Sequence, residues 1–218
     1  MRSACWIVLA CVSLLFSCGE QVRFEQPQPK GIPDLERVPA RYHGSFYSAD
    51  DSSNLEVTAG SVVAYRMIQL RVARNTADES VRISGDTIID DASGHRVLAR
   101  PVGDSLEFTW PLWTDTLLAP GPGFHLRRYR GHFFLNALAP DGTWSVRVIE
   151  PRSTRELAIE ELQAPEDIDM LRDITPVREV RKDSLADPEY LVDPARKELR
   201  TLMQRGFTTR AVYRRIRR

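Results

Sequence analysis

Apolar and polar residues alternate through the middle of the chain. Ile68, Leu70 and Val72 are interleaved with Gln69 and Arg71, and Trp144, Val146 and Val148 with Ser145 and Arg147. A period of two places one set on each face of an extended strand. Shorter runs of the same kind cover 43–48, 55–58, 87–90, 96–100, 106–110, 126–129, 132–136 and 156–162. Between them lie turn-forming clusters: Asp50-Asp51-Ser52-Ser53-Asn54, Ser84-Gly85-Asp86, Asp91-Ala92-Ser93-Gly94, Gly103-Asp104, Pro120-Gly121-Pro122-Gly123 and Asp141-Gly142. No eleven-residue window before Glu150 keeps a 3.6-residue period. The pattern predicts a mainly β fold, an antiparallel meander closed as a barrel (lipocalin-like) or folded as a sandwich, over residues 41–181.

The pattern changes after Glu150. Pro165 to Leu171 suits a short helix, and Ile174 to Val180 alternates again as a closing strand. Pro194 opens a helix over 195–204, with Leu199, Leu202 and Met203 on one face and Gly206 as its stop. Thr208 or Thr209 is placed to cap a last helical turn carrying Val212, Tyr213 and Ile216. Residues 182–218 thus read as a basic helical extension. Residues 18–40 hold Pro27, Pro29, Pro33 and Pro39 and read as an extended tether, with Phe24 as a weak docking candidate.

Residues 1–17 form a different unit. Met1-Arg2-Ser3 carries positive charge, and Ala4 to Phe16 is apolar but shorter than the roughly 20 residues needed to span a bilayer. That is the form of a secretory signal peptide. Leu15-Phe16-Ser17-Cys18 resembles the lipobox of bacterial lipoproteins, with Phe16 standing where a small residue is usual. The resemblance implies acylation of Cys18 and cleavage before it. Removing 17 of 218 residues leaves Cys18 as the one cysteine, because Cys5 and Cys11 lie in the removed segment. No intramolecular disulfide can then form. Gly19, rather than aspartate, after the cysteine implies an outer-membrane destination, facing either the periplasm or the surface.

Overall charge is balanced at 30 basic and 30 acidic residues, which gives no reason to expect a nucleic-acid partner. The balance is uneven locally. Residues 150–193 carry a net charge of −7 and residues 194–218 a net charge of +8. The two halves could pair with each other, or the basic end could meet solvent or anionic lipid.

Gly103-Asp104-Ser105-Leu106 spells the GDSL hydrolase signature, with Ser105 as nucleophile. That family leads from the motif into a helix and needs a later Asp-x-x-His, which this chain lacks. Gly85-Asp86-Thr87-Ile88 has the same turn-then-strand form, so both read as hairpin turns and no catalytic residue is expected. His43, His95, His125 and His132 never fall at metal-ligand spacing, although His125 and His132 could face each other across a hairpin. Asp50 and Asp51 read as a turn rather than a calcium loop. No metal or cofactor is expected. Trp110-Pro111-Leu112-Trp113 is the most unusual run, either a plug for the open end of the sheet or an apolar rim for a partner, with Trp110 and Trp113 as its candidate residues.

Phe24-Glu25-Gln26-Pro27-Gln28-Pro29, the run from Leu126 to Asn136, and the Leu199–Met203 and Gly206-Phe207 segment resemble a group of uncharacterised lipoproteins from Bacteroidetes-type outer membranes. The resemblance implies location and architecture and brings no activity with it. The expected function is a non-catalytic, membrane-anchored envelope lipoprotein whose β domain binds an apolar ligand or an envelope partner protein; the alternative is a hydrolase using Ser105.

Overall fold

The computed structural model describes residues 21–216 except 76–80, 92–93, 181–187 and 207–208. The fold is mainly β, as the alternation predicts. In chain order the strands are β1 (Gln21–Phe24), β2 (Gly44–Ser48), β3 (Ser53–Val57), β4 (Val62–Ala73), β5 (Val81–Ser84), β6 (Thr87–Asp90), β7 (Arg96–Leu98), β8 (Arg100–Val102) and β9 (Ser105–Leu118). They continue with β10 (Phe124–Tyr129), β11 (His132–Leu138), β12 (Trp144–Pro151), β13 (Glu156–Glu161), β14 (Val177–Val180), β15 (Glu189–Val192) and β16 (Thr209–Arg215). A 3-10 turn (Ala40–Tyr42), α1 (Ile168–Ile174) and α2 (Arg196–Arg205) complete the set. Two-residue hairpins explain both Gly-Asp turns. Ser84 pairs with Thr87 and Val102 with Ser105, with Gly85 at φ 63° and Gly103 at φ 58°. Glycine at the first turn position supplies the left-handed backbone that such hairpins need.

The main sheet runs β14-β15-β1-β12-β13-β16-β2-β3-β4-β9-β8, with β11 also on β12 and β10 on β11. Its pairs are antiparallel except β1 with β15. The sheet curls so that β9 approaches β10 and β11, but no ladder joins them among the described residues. The concave face gathers Phe46, Leu55, Val62, Phe133, Leu135 and Leu157, each at most 2% exposed. Behind β11 and β12, Phe134, Val146 and Val148 pack against Val22, Phe24, Tyr190 and Val192, covered by Leu171 of α1 and Leu199 and Leu202 of α2. Four successive residues, Phe133 to Asn136, are therefore buried in β11, a strand covered on both sides. α2 matches its sequence signals: Glu198 Oε2 accepts from the Ala195 N–H at 2.8 Å, and Gly206 ends the helix at φ 82°.

Three boundaries differ from the expectation. First, the start of the proposed tether is a strand: Gln21–Phe24 pairs residue for residue with Glu189–Val192, and Phe24 pairs with Trp144. The prolines restrict 27–39 and leave 21–24 free to alternate, burying Val22 and Phe24. Second, the rest of the tether is a strap on the body. The Asn136 side chain accepts the Gln28 N–H at 2.6 Å and donates to the Gln28 carbonyl at 2.9 Å. Leu35 N–H donates to Leu126 O at 2.7 Å and Val38 N–H to Ala59 O at 2.9 Å. Third, the predicted last helical turn is β16, seated between β13 and β2. Its alternation puts Tyr213 into the concave core. The β body and the tail extension therefore share one sheet.

Candidate functional site

The curled sheet has one closed and one open end. At the closed end Tyr42 of the 3-10 turn and Val38 fill the concave face, and Tyr42 meets Phe133 edge-on at 5.4 Å. Arg215 locks this end. Its guanidinium lies 4.7 Å over the Phe46 ring and donates to the carbonyls of Arg41 (3.0 Å), His43 (2.5 Å) and Thr154 (2.9 Å). Gly44 makes room for it, because a Cβ there would lie 2.5 Å from Arg215 Nη1. The core below keeps a void of about 10 Å³, room for one water at most.

At the open end the inward positions turn polar. Ser48 follows Phe46 in period two, Ser53 precedes Leu55, Glu161 follows Leu157 and Ile159, and Arg147 precedes Ile149. Ser53 Oγ and Tyr213 Oη are 2.8 Å apart, and Ser53 Oγ donates to Asp51 at 2.7 Å. Asp51 thus makes the predicted Asx turn, also accepting the Ser53 N–H at 3.1 Å. Arg147 pairs with Glu161 and lies 3.9 Å from Asp115. Burial raises the Tyr213 pKa above its ordinary value; the Ser53 hydrogen bond lowers it, while the charges of Asp51, Glu161 and Asp115 raise it further. Ser48 Oγ is fully buried and has no hydrogen-bond partner among the described residues. This is a polar, net-acidic mouth on an apolar concave interior.

Next to the mouth, β4 and β9 run on as a two-stranded arm. Register shifts along this ladder leave Leu112 and Leu117 as bulged residues of β9. Without the first bulge, Trp110 and Trp113 would face opposite sides. With it, Trp110 pairs with Ile68 and Trp113 with Arg66, two positions on the same face. Both tryptophans are half-buried. Trp113 packs against the concave core, as a plug would. Trp110 stands farther out, edge-on to His95 at 5.1 Å and to Phe108 at 6.0 Å. The far end of this face is covered by the small β5-β6-β7 sheet through Ile88, Ala99 and Leu106. Between the two covers Leu70 is 36% exposed. β8 pairs with β9 only along Ser105–Glu107, so the next stretch of β9 is an edge among the described residues. Pro111 is tolerated there, at an edge beside a bulge.

The other predicted site residues fall elsewhere. Ser105 opens β9 directly after the hairpin turn, opposite Val102 and Ala73, with no histidine bonded to it among the described residues. His125 and His132 do not face each other: His125 pairs with Asn136, His132 with Tyr129. His125 Nδ1 lies 2.6 Å from Asp34, beside Trp144, and His132 Nδ1 lies 3.1 Å from Arg130 O. Arg127 donates to Asp34 at 2.7 Å and to the Pro27 and Pro29 carbonyls, holding the strap. Burial works to raise the Asp34 pKa, but the bonds and charges of Arg127 and His125 hold it below the ordinary carboxylate value. Of the alternatives open for the charged tail, pairing between its halves occurs at Arg205–Asp173 and Arg214–Glu156, both 3.4 Å. No group of metal-ligating residues forms among the described residues. Cys18 lies outside the described residues. Sequence reading missed Ser48, Ser53, Arg147, Glu161 and Tyr213; the signal was a polar residue continuing an apolar face in period two. No protein-family model, curated protein or solved structure matches the chain.

Proposed function

We propose that this protein is a non-catalytic, lipid-anchored binding module of the cell envelope, held in the outer membrane by acylated Cys18, that engages an envelope partner protein through the β4–β9 arm and the adjoining open end. The observation that carries the partner reading is the aromatic face of the arm, where a bulge aligns Trp110 with Trp113 and Leu70 is left in solvent; the opposite face exposes Met67 but carries no tryptophan. Aromatic residues on such a face are the usual anchors of protein interfaces. An apolar ligand carried inside the body is the weaker reading, because the concave core is filled.

A photo-crosslinking residue at Leu70 or Trp110 should capture one partner from intact cells, while the same residue at Gln69 or Thr109, on the arm's other face, should not. Equal labelling from both faces would remove the partner reading. The anchor is tested apart from it: Cys18→Ala should leave unprocessed, unacylated precursor, and normal maturation of that variant would remove the lipoprotein reading.

A further inference from the structure

Consecutive ladders bring four stretches of chain to the closed end. The β10–β11 turn at Arg130-Gly131 adjoins the end of β12, since Phe133 pairs with Ile149. The turn at 152–155 joins β12 to β13, and Glu156 pairs with Arg214 at the end of β16. Arg215 pairs with Phe46 and bonds to the 3-10 turn. Together these stretches carry Arg41, Arg128, Arg130, Arg152, Arg155, Arg214 and Arg215.

The acids at this end are few. Arg152 lies 3.4 Å from Glu150 and 3.3 Å from Glu156, which also takes Arg214. Glu56 lines an open groove of about 670 Å³ beside Arg215 and His43. Arg41, Arg128, Arg130 and Arg155 are exposed and have no carboxylate partner among the described residues. Two of them are held in place: Arg41 lies 4.8 Å over the Tyr42 ring and Arg128 5.6 Å over Phe133, the ring that Tyr42 meets. The open end has the opposite sign, with Asp115 and Glu161 beside Arg147 and Asp51 bonded to Ser53.

The direction of β1 adds a second observation. Phe24 lies opposite Trp144 at the start of β12, and β1 is antiparallel to β12, so within β1 Gln21 is the residue nearer the closed end. Cys18 is three residues before Gln21, about 10 Å of extended chain. Glu189, opposite Gln21, is an acid near that point. We infer that the closed end is a docking surface for anionic phospholipid headgroups, so that the body stands end-on against the bilayer with its arm directed away. The arm follows from the same ladders: β4 leaves the closed end at Val62, paired with Val57, and runs past the open end. The membrane location rests on the proposed acylation of Cys18; the headgroup affinity does not.

The test uses residues 18–218, which contain every described ladder, carrying Cys18→Ser so that no acyl chain contributes. Co-sedimentation with phosphatidylcholine–phosphatidylglycerol vesicles should show binding that high salt abolishes, and vesicles of phosphatidylcholine alone should bind little. Arg128→Gln/Arg130→Gln/Arg155→Gln should weaken binding roughly a hundredfold, about fivefold per charge. The matching triple lysine variant should keep it, and Arg96→Gln on β7 should change nothing. No binding to the anionic vesicles, binding indifferent to lipid charge, or loss in the lysine variant overturns the inference. The anchor reading is scored separately, from the intact mass of the native protein: an acylated product with no headgroup affinity removes only the docking surface.

Discussion

The two ends of the curled sheet are closed by different physics. The closed end is held by ring packing and by one arginine that spends its donors on backbone carbonyls, with Phe46 and Tyr42 beneath it. The open end is held by hydroxyls and ion pairs, and one of its hydroxyls, Ser48, has no hydrogen-bond partner among the described residues. Packing of the first kind contributes stability at every atom. A buried hydroxyl without a partner costs it. The contrast locates where this fold is built for strength and where it keeps groups available.

The sharpest way to break the contrast is to truncate one inward residue at each end of β2. Phe46→Ala should cost about 3–5 kcal/mol, since the ring is fully buried and Arg215 rests on it. Ser48→Ala, two residues on, should be neutral or stabilising, because it removes a desolvated hydroxyl and breaks no hydrogen bond made by the described residues. Chemical denaturation of both variants reads the pair. A large loss from Ser48→Ala would mean that its hydroxyl has a partner, and the open end would then be as fully satisfied as the closed one.

The strap runs outside the body between the two ends, and its removal sharpens the comparison by a smaller amount. Asn136→Ala strips the partners from the Gln28 N–H and carbonyl in a site where Gln28 is fully buried. A cost of about 1–3 kcal/mol is expected. Amide hydrogen exchange should then rise along Gln28–Leu35 before it rises in β3 or β11. Uniform acceleration across the sheet would show that the strap and the body open as one unit.

How far the sequence carried this picture depends on which side of a strand was asked to speak. Runs such as Thr87–Asp90 and His132–Asn136 were legible because both their alternation and their flanking turns are local. β1 and β16 were not. Four prolines downstream masked the Val22/Phe24 alternation, and the basic residues around Val212 and Tyr213 imitate a helix face until a partner strand fixes the period. The parallel pairing of β1 with β15 joins residues 168 positions apart, which no local pattern encodes. Trp110 and Trp113 were visible as a cluster, but their shared face depends on a bulge defined by the register of β4. The open end was illegible for a related reason: Ser48, Glu161 and Tyr213 come from separate strands and meet only when the sheet curls.

Tyr213 offers the finest probe of the open end, because its hydroxyl reports charge as well as contact. At neutral pH Tyr213→Phe loses the bond to Ser53, which keeps Asp51, so a cost of about 1 kcal/mol is expected. The pH dependence runs in a set direction. The folded pKa lies above the ordinary tyrosine value, chiefly through burial, with the neighbouring carboxylates adding to it. Below pH 10 the phenol is neutral folded and unfolded, and the stability is fully present. Between the two pKa values the unfolded chain has released a proton that the folded chain keeps, so stability falls as pH rises until the folded pKa is passed. The phenylalanine variant has no such proton. Its deficit at neutral pH should therefore shrink, and can reverse, on the alkaline side, as read by denaturation midpoints and by the phenolate absorbance of the folded wild type. If the five other tyrosines account for all the retarded titration and the deficit stays constant with pH, then burial does not hold this phenol neutral. The open end would then admit water as far as Tyr213, and the contrast with the packed closed end would be one of solvent access as well as of chemistry.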